Sequence, residues 1–368
     1  MTEPRSDGNV KGGMMHKGIL VGLLSISVVL LFGSAALAFH DAGVAYCGGC
    51  HTMHNSENGQ PIDPDHLNGN QYLLKLDTPS DVCLSCHATS HGAVLGTDPL
   101  NPPPELGGGN FVFLLEDNIN DGHSGGSHPI LGYASGHNLD APAYGVGPDA
   151  VLTNAPGGNY PAEAMGCTSC HDPHGNTNLR LLYGVGPIQG GLYIFTNPAP
   201  TGEVMSYNSP GETNSNHTAY QSGWSAWCAN CHGNFHSANN PEALIHPSGV
   251  ALGGIATTYN LYNGTSDPYG GSQATAYLAA VPFEDLAVTL NSTAGPTATS
   301  KVTCMTCHRA HATSAQNAGR WDFNVTYLDD DGVASGSYAI PNPYNDPSQR
   351  SLCNKCHLKD LNDELVTP

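Results

Sequence analysis

Tyr46-Cys47-Gly48-Gly49-Cys50-His51-Thr52-Met53-His54 is the stretch from which the whole chain can be read. It contains Cys-x-x-Cys-His, the attachment signature of a c-type haem. Two thiols at this spacing reach the vinyl groups on one edge of a porphyrin. The adjacent histidine falls under the iron and supplies the proximal ligand. The signature recurs at Cys83-Cys86-His87, Cys167-Cys170-His171, Cys228-Cys231-His232, Cys304-Cys307-His308 and Cys353-Cys356-His357. Six motifs consume all twelve cysteines. Zinc ribbons and redox dithiols share the Cys-x-x-Cys spacing, but neither needs a histidine after the second cysteine every time. Six covalently bound c-type haems are the expectation, with His51, His87, His171, His232, His308 and His357 as proximal ligands.

A second histidine follows five of the six motifs: His54, His174 and His311 at an offset of three, His91 and His236 at four. Those offsets share one face of a helical turn. A neighbour on the proximal face cannot reach round to the other side of its own haem, but it can reach the distal side of a different one. Gly136-His137-Asn138 and Leu244-Ile245-His246-Pro247 offer two more ligands from loops. His54, His91, His137, His174, His236, His246 and His311 are thus seven candidates for six distal places, and one is surplus. His40, His66, His123, His128 and His217 have no assigned role. Histidine outnumbers the mature chain's methionines (Met53, Met165, Met205 and Met305), so bis-histidine ligation is expected, with lower potentials than His/Met ligation.

Gly18 to Phe32 is an apolar run preceded by Lys11 and Lys17 and followed by Ala36-Leu37-Ala38. It reads as a secretory signal over residues 1–38, with translation starting at Met14 or Met15 and cleavage after Ala38. The run is short for a membrane span of about 20 residues. No second run of spanning length follows, so no transmembrane span is expected in the mature chain, residues 39–368. Export agrees with the motifs, because bacterial c-type haems are attached outside the cytoplasmic membrane. The formal net charge of −20 argues against nucleic acid as a partner.

Forty-five glycines and 27 prolines make up close to a fifth of the 368 residues. Such a composition ordinarily reads as disorder. Here six porphyrins supply the apolar surface of a core, so regular elements are optional. The expected fold is mostly irregular loops with few short helices and minimal strand, one domain wrapped around a continuous haem chain. Ser272 to Leu286 is the clearest longer helix candidate; Asn110–Leu115 and Gly191–Phe195 read as short strands. Motif starts lie 36, 84, 61, 76 and 49 residues apart, so there is no fixed repeat period. Asp329-Asp330-Asp331-Gly332 lacks the full pattern of a calcium loop and reads as a solvated turn.

Phe39-His40, Gly43-Val44-Ala45 and the first motif with Asn55-Ser56 resemble the mature N-terminus of a known family. It is that of the hexahaem S-type outer-surface cytochromes of metal-reducing bacteria, which polymerise into nanowires. Further matches run in order through 154–161, 170–175, 227–232, 276–284, 307–312 and 352–357. The resemblance implies a stack of haems, with one distal histidine of each subunit given to a neighbour. The matching donor is His54 and the recipient the haem on Cys304 and Cys307; His311 would then serve the first haem. It also implies electron hopping to external acceptors such as metal oxides or electrodes, fed by outer-membrane donors. On this reading the protein is extracellular or at the outer cell surface, and is an electron-transfer protein, not an enzyme. The rival readings are a monomeric periplasmic shuttle, and a multihaem reductase with one open haem.

Overall fold

The computed structural model describes residues 1, 46–88, 94–116, 119–120, 129–206, 209–236, 246–333, 336 and 338–357. The signal segment, His40, His91, His123 and His128 lie outside the described residues, and of His236 only the backbone is described. Regular structure is sparse. The helices among the described residues are α1 (Cys47–Cys50), α2 (Pro79–His87), α3 (Cys167–Cys170), α4 (Trp224–Cys228), α5 (Ile255–Leu261) and α6 (Cys304–Cys307). The sixth motif sits on a 3-10 turn, Leu352–Lys355. Strands occur only as two-stranded antiparallel pairs, five among the described residues. Most are local, but Val250–Ala251 pairs with the distant Lys301–Val302, and Thr201–Glu203 with Ala219–Ser222.

The first, third and fifth motifs are built alike. Each is a four-residue helix whose C-cap is the motif histidine in extended conformation (His51, His171, His308). A returning segment then clamps the helix end from both sides. Thr52 N–H bonds Leu73 O and Lys75 N–H bonds Cys50 O; Asp172 and Tyr183 do the same with Leu181 O and Cys170 O, and Arg309 and Arg320 with Ala318 O and Cys307 O. Each return passes through two consecutive non-glycine residues with positive φ: Tyr72 (55°) and Leu73 (57°), Arg180 (49°) and Leu181 (58°), Asn317 (59°) and Ala318 (55°). This conformation costs roughly 1–2 kcal/mol per residue, so it is held by the clamp and not by local preference.

The second and fourth motifs use longer helical lead-ins and join the next odd motif by one device. Ser80 of α2 accepts from Cys167 N–H, and Ser225 of α4 accepts from Cys304 N–H, both at 3.2 Å. Thr78 caps α2, accepting from Asp81 N–H, with Pro79 in the first turn. The third and fifth motif helices also carry a side-chain cap: Ser169 Oγ accepts from Gly166 N–H and Thr306 Oγ1 from Thr303 N–H.

Side chains form three apolar clusters, and the fifth motif with the segment directly after it joins them. Met305 belongs to the cluster of Tyr160, Phe195 and Trp227, Ala312 to that of Phe111–Leu114, and Ala315 to that of Tyr277, Phe283 and Trp321. The run 272–286 is not a helix. It makes one 3-10 turn, Gln273–Thr275, and then an irregular path with Ala276, Tyr277, Leu278, Ala279, Val281 and Phe283 buried. Apolar on all sides, it bonds to distant partners, Thr293 O and Tyr259 Oη, in place of its own turns. The run 110–115 is a 3-10 helix and not a strand, because Asn110 Oδ1 captures Val112 N–H and starts a turn. Within 191–195, Tyr193–Phe195 does pair as a strand, with Gly186–Ile188.

A buried ionic knot ties the fifth motif to the loops. Arg309 contacts Glu105 at 3.2 Å and Glu212 at 2.9 Å, and Arg320 lies 3.6 Å from Glu212. Burial alone would raise the Glu212 carboxyl, but the two guanidinium groups hold it below its ordinary value. Glu212→Gln leaves both guanidinium groups short of a counter-charge and is expected to cost about 3–5 kcal/mol. Denaturant unfolding measures it; a loss below about 1 kcal/mol would show that the knot contributes little.

Candidate haem sites

All twelve cysteines are free thiols. They come together motif by motif in chain order. The Cys83 and Cys167 thiols hydrogen bond, as do those of Cys228 and Cys304. Cys50 lies within electrostatic reach of Cys86, Cys170 of Cys231, and Cys307 of Cys353 and Cys356. Every motif therefore lies within contact or electrostatic reach of the next, first through sixth. Burial pushes Cys170, Cys231 and Cys307 up to about 12. Zinc requires thiolates, which these positions disfavour, whereas a neutral thioether suits them.

The histidines are prepared as ligands in one consistent way. Nδ1–H of His51, His171 and His308 donates to Tyr72 O, Arg180 O and Asn317 O, at 2.9, 2.8 and 2.9 Å. In each case the acceptor is the first positive-φ residue of the returning turn. His232 donates to Pro156 O and His137 to Ala310 O, both at 2.7 Å, and His246 to Pro247 O at 3.2 Å. Committing Nδ1 to a carbonyl fixes the tautomer and leaves the Nε2 lone pair for a metal.

Three imidazole pairs then face one another at a common spacing. Ring centroids lie 6.4 Å apart for His51 and His174, 6.0 Å for His137 and His232, and 6.2 Å for His246 and His357. Two imidazoles each about 2 Å from one metal through Nε2 put their centroids roughly 6 Å apart. The pairs thus have the separation that an iron between them requires. His311 lies within electrostatic reach of His171, and beyond it of His137 and His87. His311 also stacks on Phe111 at 4.5 Å, lies against Gly108, and bonds Gly109 O through Nδ1 at 3.3 Å. The first motif is therefore faced by His174 and not, as the resemblance implied, by His311, which stands one odd motif further on. The close fit at Gly136 explains how His137 gets in: a Cβ there would lie 2.2 Å from His311 O.

His54 is exposed, and among the described residues no imidazole faces His308 at this spacing. His217 is buried with Nδ1 on Thr218 O and Nε2 on Ser292 O, so neither nitrogen is left for a ligand. His66 engages Asp63 and Asp77. Asp331 accepts Ile340 N–H, and Asp329 accepts from Asn342; no metal-holding cluster of acidic, His or Cys side chains occurs among the described residues. The backbone acceptors escaped the sequence reading. A trace existed in Asn70-Gln-Tyr-Leu-Leu74 and Asn178-Leu-Arg-Leu-Leu182, but the fifth motif's equivalent, Ala315-Gln-Asn-Ala-Gly319, shares none of it.

Paired thiols, neutral imidazoles with Nε2 available, and proximity of successive motifs define a multihaem c-type cytochrome. A "Doubled CXXCH motif" family matches residues 160–189. The chain is 33% identical to the C-type cytochrome OmcS of Geobacter sulfurreducens, over 94% of this chain and 100% of that protein. It therefore belongs to the OmcS cytochrome family. The cryo-EM structure of OmcS nanowires superposes with a TM-score of 0.74 at 29% identity, covering 87% of this chain and 100% of that one. The structure of an Outer Membrane Cytochrome S filament from the same organism gives 0.72 at 28%, with the same coverage.

Burial, reinforced by neighbouring imidazoles, lowers His137 to about 4 and His311 to about 3 from an ordinary 6.5. The fold keeps both rings neutral.

Proposed function

We propose that residues 39–368 form one domain carrying six bis-histidine c-type haems, and that it conducts electrons as a subunit of a head-to-tail filament. The cysteine pairs 47/50, 83/86, 167/170, 228/231, 304/307 and 353/356 would hold the haems. His51, His87, His171, His232, His308 and His357 would be the proximal ligands. The haems, when bound, supply the one-electron redox centres, and the protein sets their spacing and surroundings.

One observation carries the filament: the offset-three histidine is passed backwards. His174 of the third motif faces His51 of the first, and His311 of the fifth approaches His171 of the third. By the same rule His54 of the first motif belongs to an odd motif that precedes it. None exists in its own chain, while the fifth motif has no later one to receive from. A second copy satisfies both, with His54 completing that copy's haem on Cys304 and Cys307. His137 and His246 then serve the fourth and sixth haems. His91 and His236 remain for the place opposite His87, so one of the two is surplus. That structures of a relative are described as nanowires and a filament supports this reading.

Residues 1–38 would direct export, and the mature protein would act outside the cell or at its outer surface. Among the described residues no helix is long and apolar enough to cross a membrane. Electrons would enter from outer-membrane donors and leave to extracellular acceptors such as metal oxides or electrodes. With a histidine available for each distal place, no haem is set aside for a substrate, so the role is electron transfer and not catalysis. His54→Ala tests the scheme: filaments should be lost, and one haem per chain should bind carbon monoxide when reduced. Intact filaments with every haem still six-coordinate would overturn it.

A further inference from the structure

Three cationic side chains are buried among the described residues: Arg309, Arg320 and Lys355. The two arginines face Glu105 and Glu212, so the fields of these charges largely cancel. Lys355 is different. It is only 2% exposed and sits inside the sixth motif, directly before Cys356. Its ammonium donates to Tyr262 O at 2.8 Å and lies 4.5 Å from the centre of the Tyr259 ring. No carboxylate lies within ion-pair distance of it among the described residues. Burying an ammonium on one carbonyl and one π-face is costly relative to leaving it in water.

The surroundings connect this charge to the sixth site. Tyr259 is fully enclosed, with its hydroxyl on Val281 O, and lies within electrostatic range of the Cys356 thiol. Cys356 packs against the same apolar cluster as Tyr259, which includes Leu352, the residue before the motif. Lys355, Tyr259 and Leu352 are buried beside Cys356, which is itself only half-buried, so the field of the ammonium reaches the sixth site partly through protein interior, where screening is weaker than in water. An iron that gains an electron loses one positive charge. A fixed cation nearby therefore stabilises the reduced state over the oxidised one.

We propose that the buried ammonium of Lys355, which has no carboxylate partner among the described residues, raises the reduction potential of the haem on Cys353 and Cys356. This rests on the hexahaem reading above. It gives the last haem of the chain a more oxidising character than its ligand pair, His357 and His246, would confer alone.

The test is a spectroelectrochemical titration of the purified hexahaem protein and three variants. Lys355→Met removes the charge and keeps the volume, Lys355→Gln keeps a donor for Tyr262 O, and Lys355→Arg keeps the charge. Haem content per chain is measured first. Fewer than six haems in the unaltered protein would refute the hexahaem reading itself, separately from this inference. With six haems bound, Met and Gln should each move one of the six midpoints to lower potential and leave the other five in place, while Arg stays near the parent. Unchanged midpoints in both neutral variants would overturn the proposal. So would an Arg variant shifted as far as Met, which would assign the effect to packing and not to charge.

Discussion

The hydrogen bond from histidine Nδ1 to a main-chain carbonyl is the interaction on which the rest of the structure depends. It decides which nitrogen is available, and it fixes the plane and aim of the ring. At the first, third and fifth motifs the acceptor lies in a turn that the chain adopts only under constraint, at Tyr72, Arg180 and Asn317. The clamp that enforces the turn is a pair of backbone bonds to the helix end. Helix, turn and ring therefore stand or fall together, and the loops between motifs serve mainly to bring that turn back.

This explains how so little regular structure supports so ordered a set of sites. A helix of four residues is far too short to be stable alone. Each motif helix is held by partners distant in sequence: Ser80 on Cys167, Ser225 on Cys304, and the returning turns. The three apolar clusters are modest for a chain of this length, and the segment from Met305 to Ala315 contributes to each. Arg309 and Arg320 flank the fifth motif and fix its position with buried charge pairs, where packing alone leaves the loops underdetermined.

The fold class and the identity of the cofactor were legible because covalent attachment demands particular side chains at a fixed spacing. That an offset-three histidine turns toward a different motif was legible too, since it follows from the geometry of one turn, and His174 against His51 is an instance. What could not be read was which motif. That His174 faces His51 depends on how a loop of more than a hundred residues folds back, and no local pattern encodes it. The carbonyl acceptors were hidden for a different reason. A backbone oxygen is common to every residue, so Tyr-Leu, Arg-Leu and Asn-Ala perform the same task. Around residues 272–286 the reading failed because a segment buried on all sides carries no face periodicity, and its helix-favouring composition yielded to tertiary bonding.

On the proposed pairing, the backward reach of the odd-motif histidines would make the molecule a vector, with His54 the unspent ligand at its front and the haem on Cys304 and Cys307 the place to be filled at its rear. Two copies related by a two-fold axis would set front against front and satisfy neither. Any assembly that uses these groups must be heterologous, a repeated step that runs on as an open filament wherever its rotation does not close a ring. A subunit lacking its front ligand could still be joined from one side, but could not pass the junction on. Length in such a polymer is thus controllable by the dose of a single defective copy, a form of regulation unavailable to a closed oligomer.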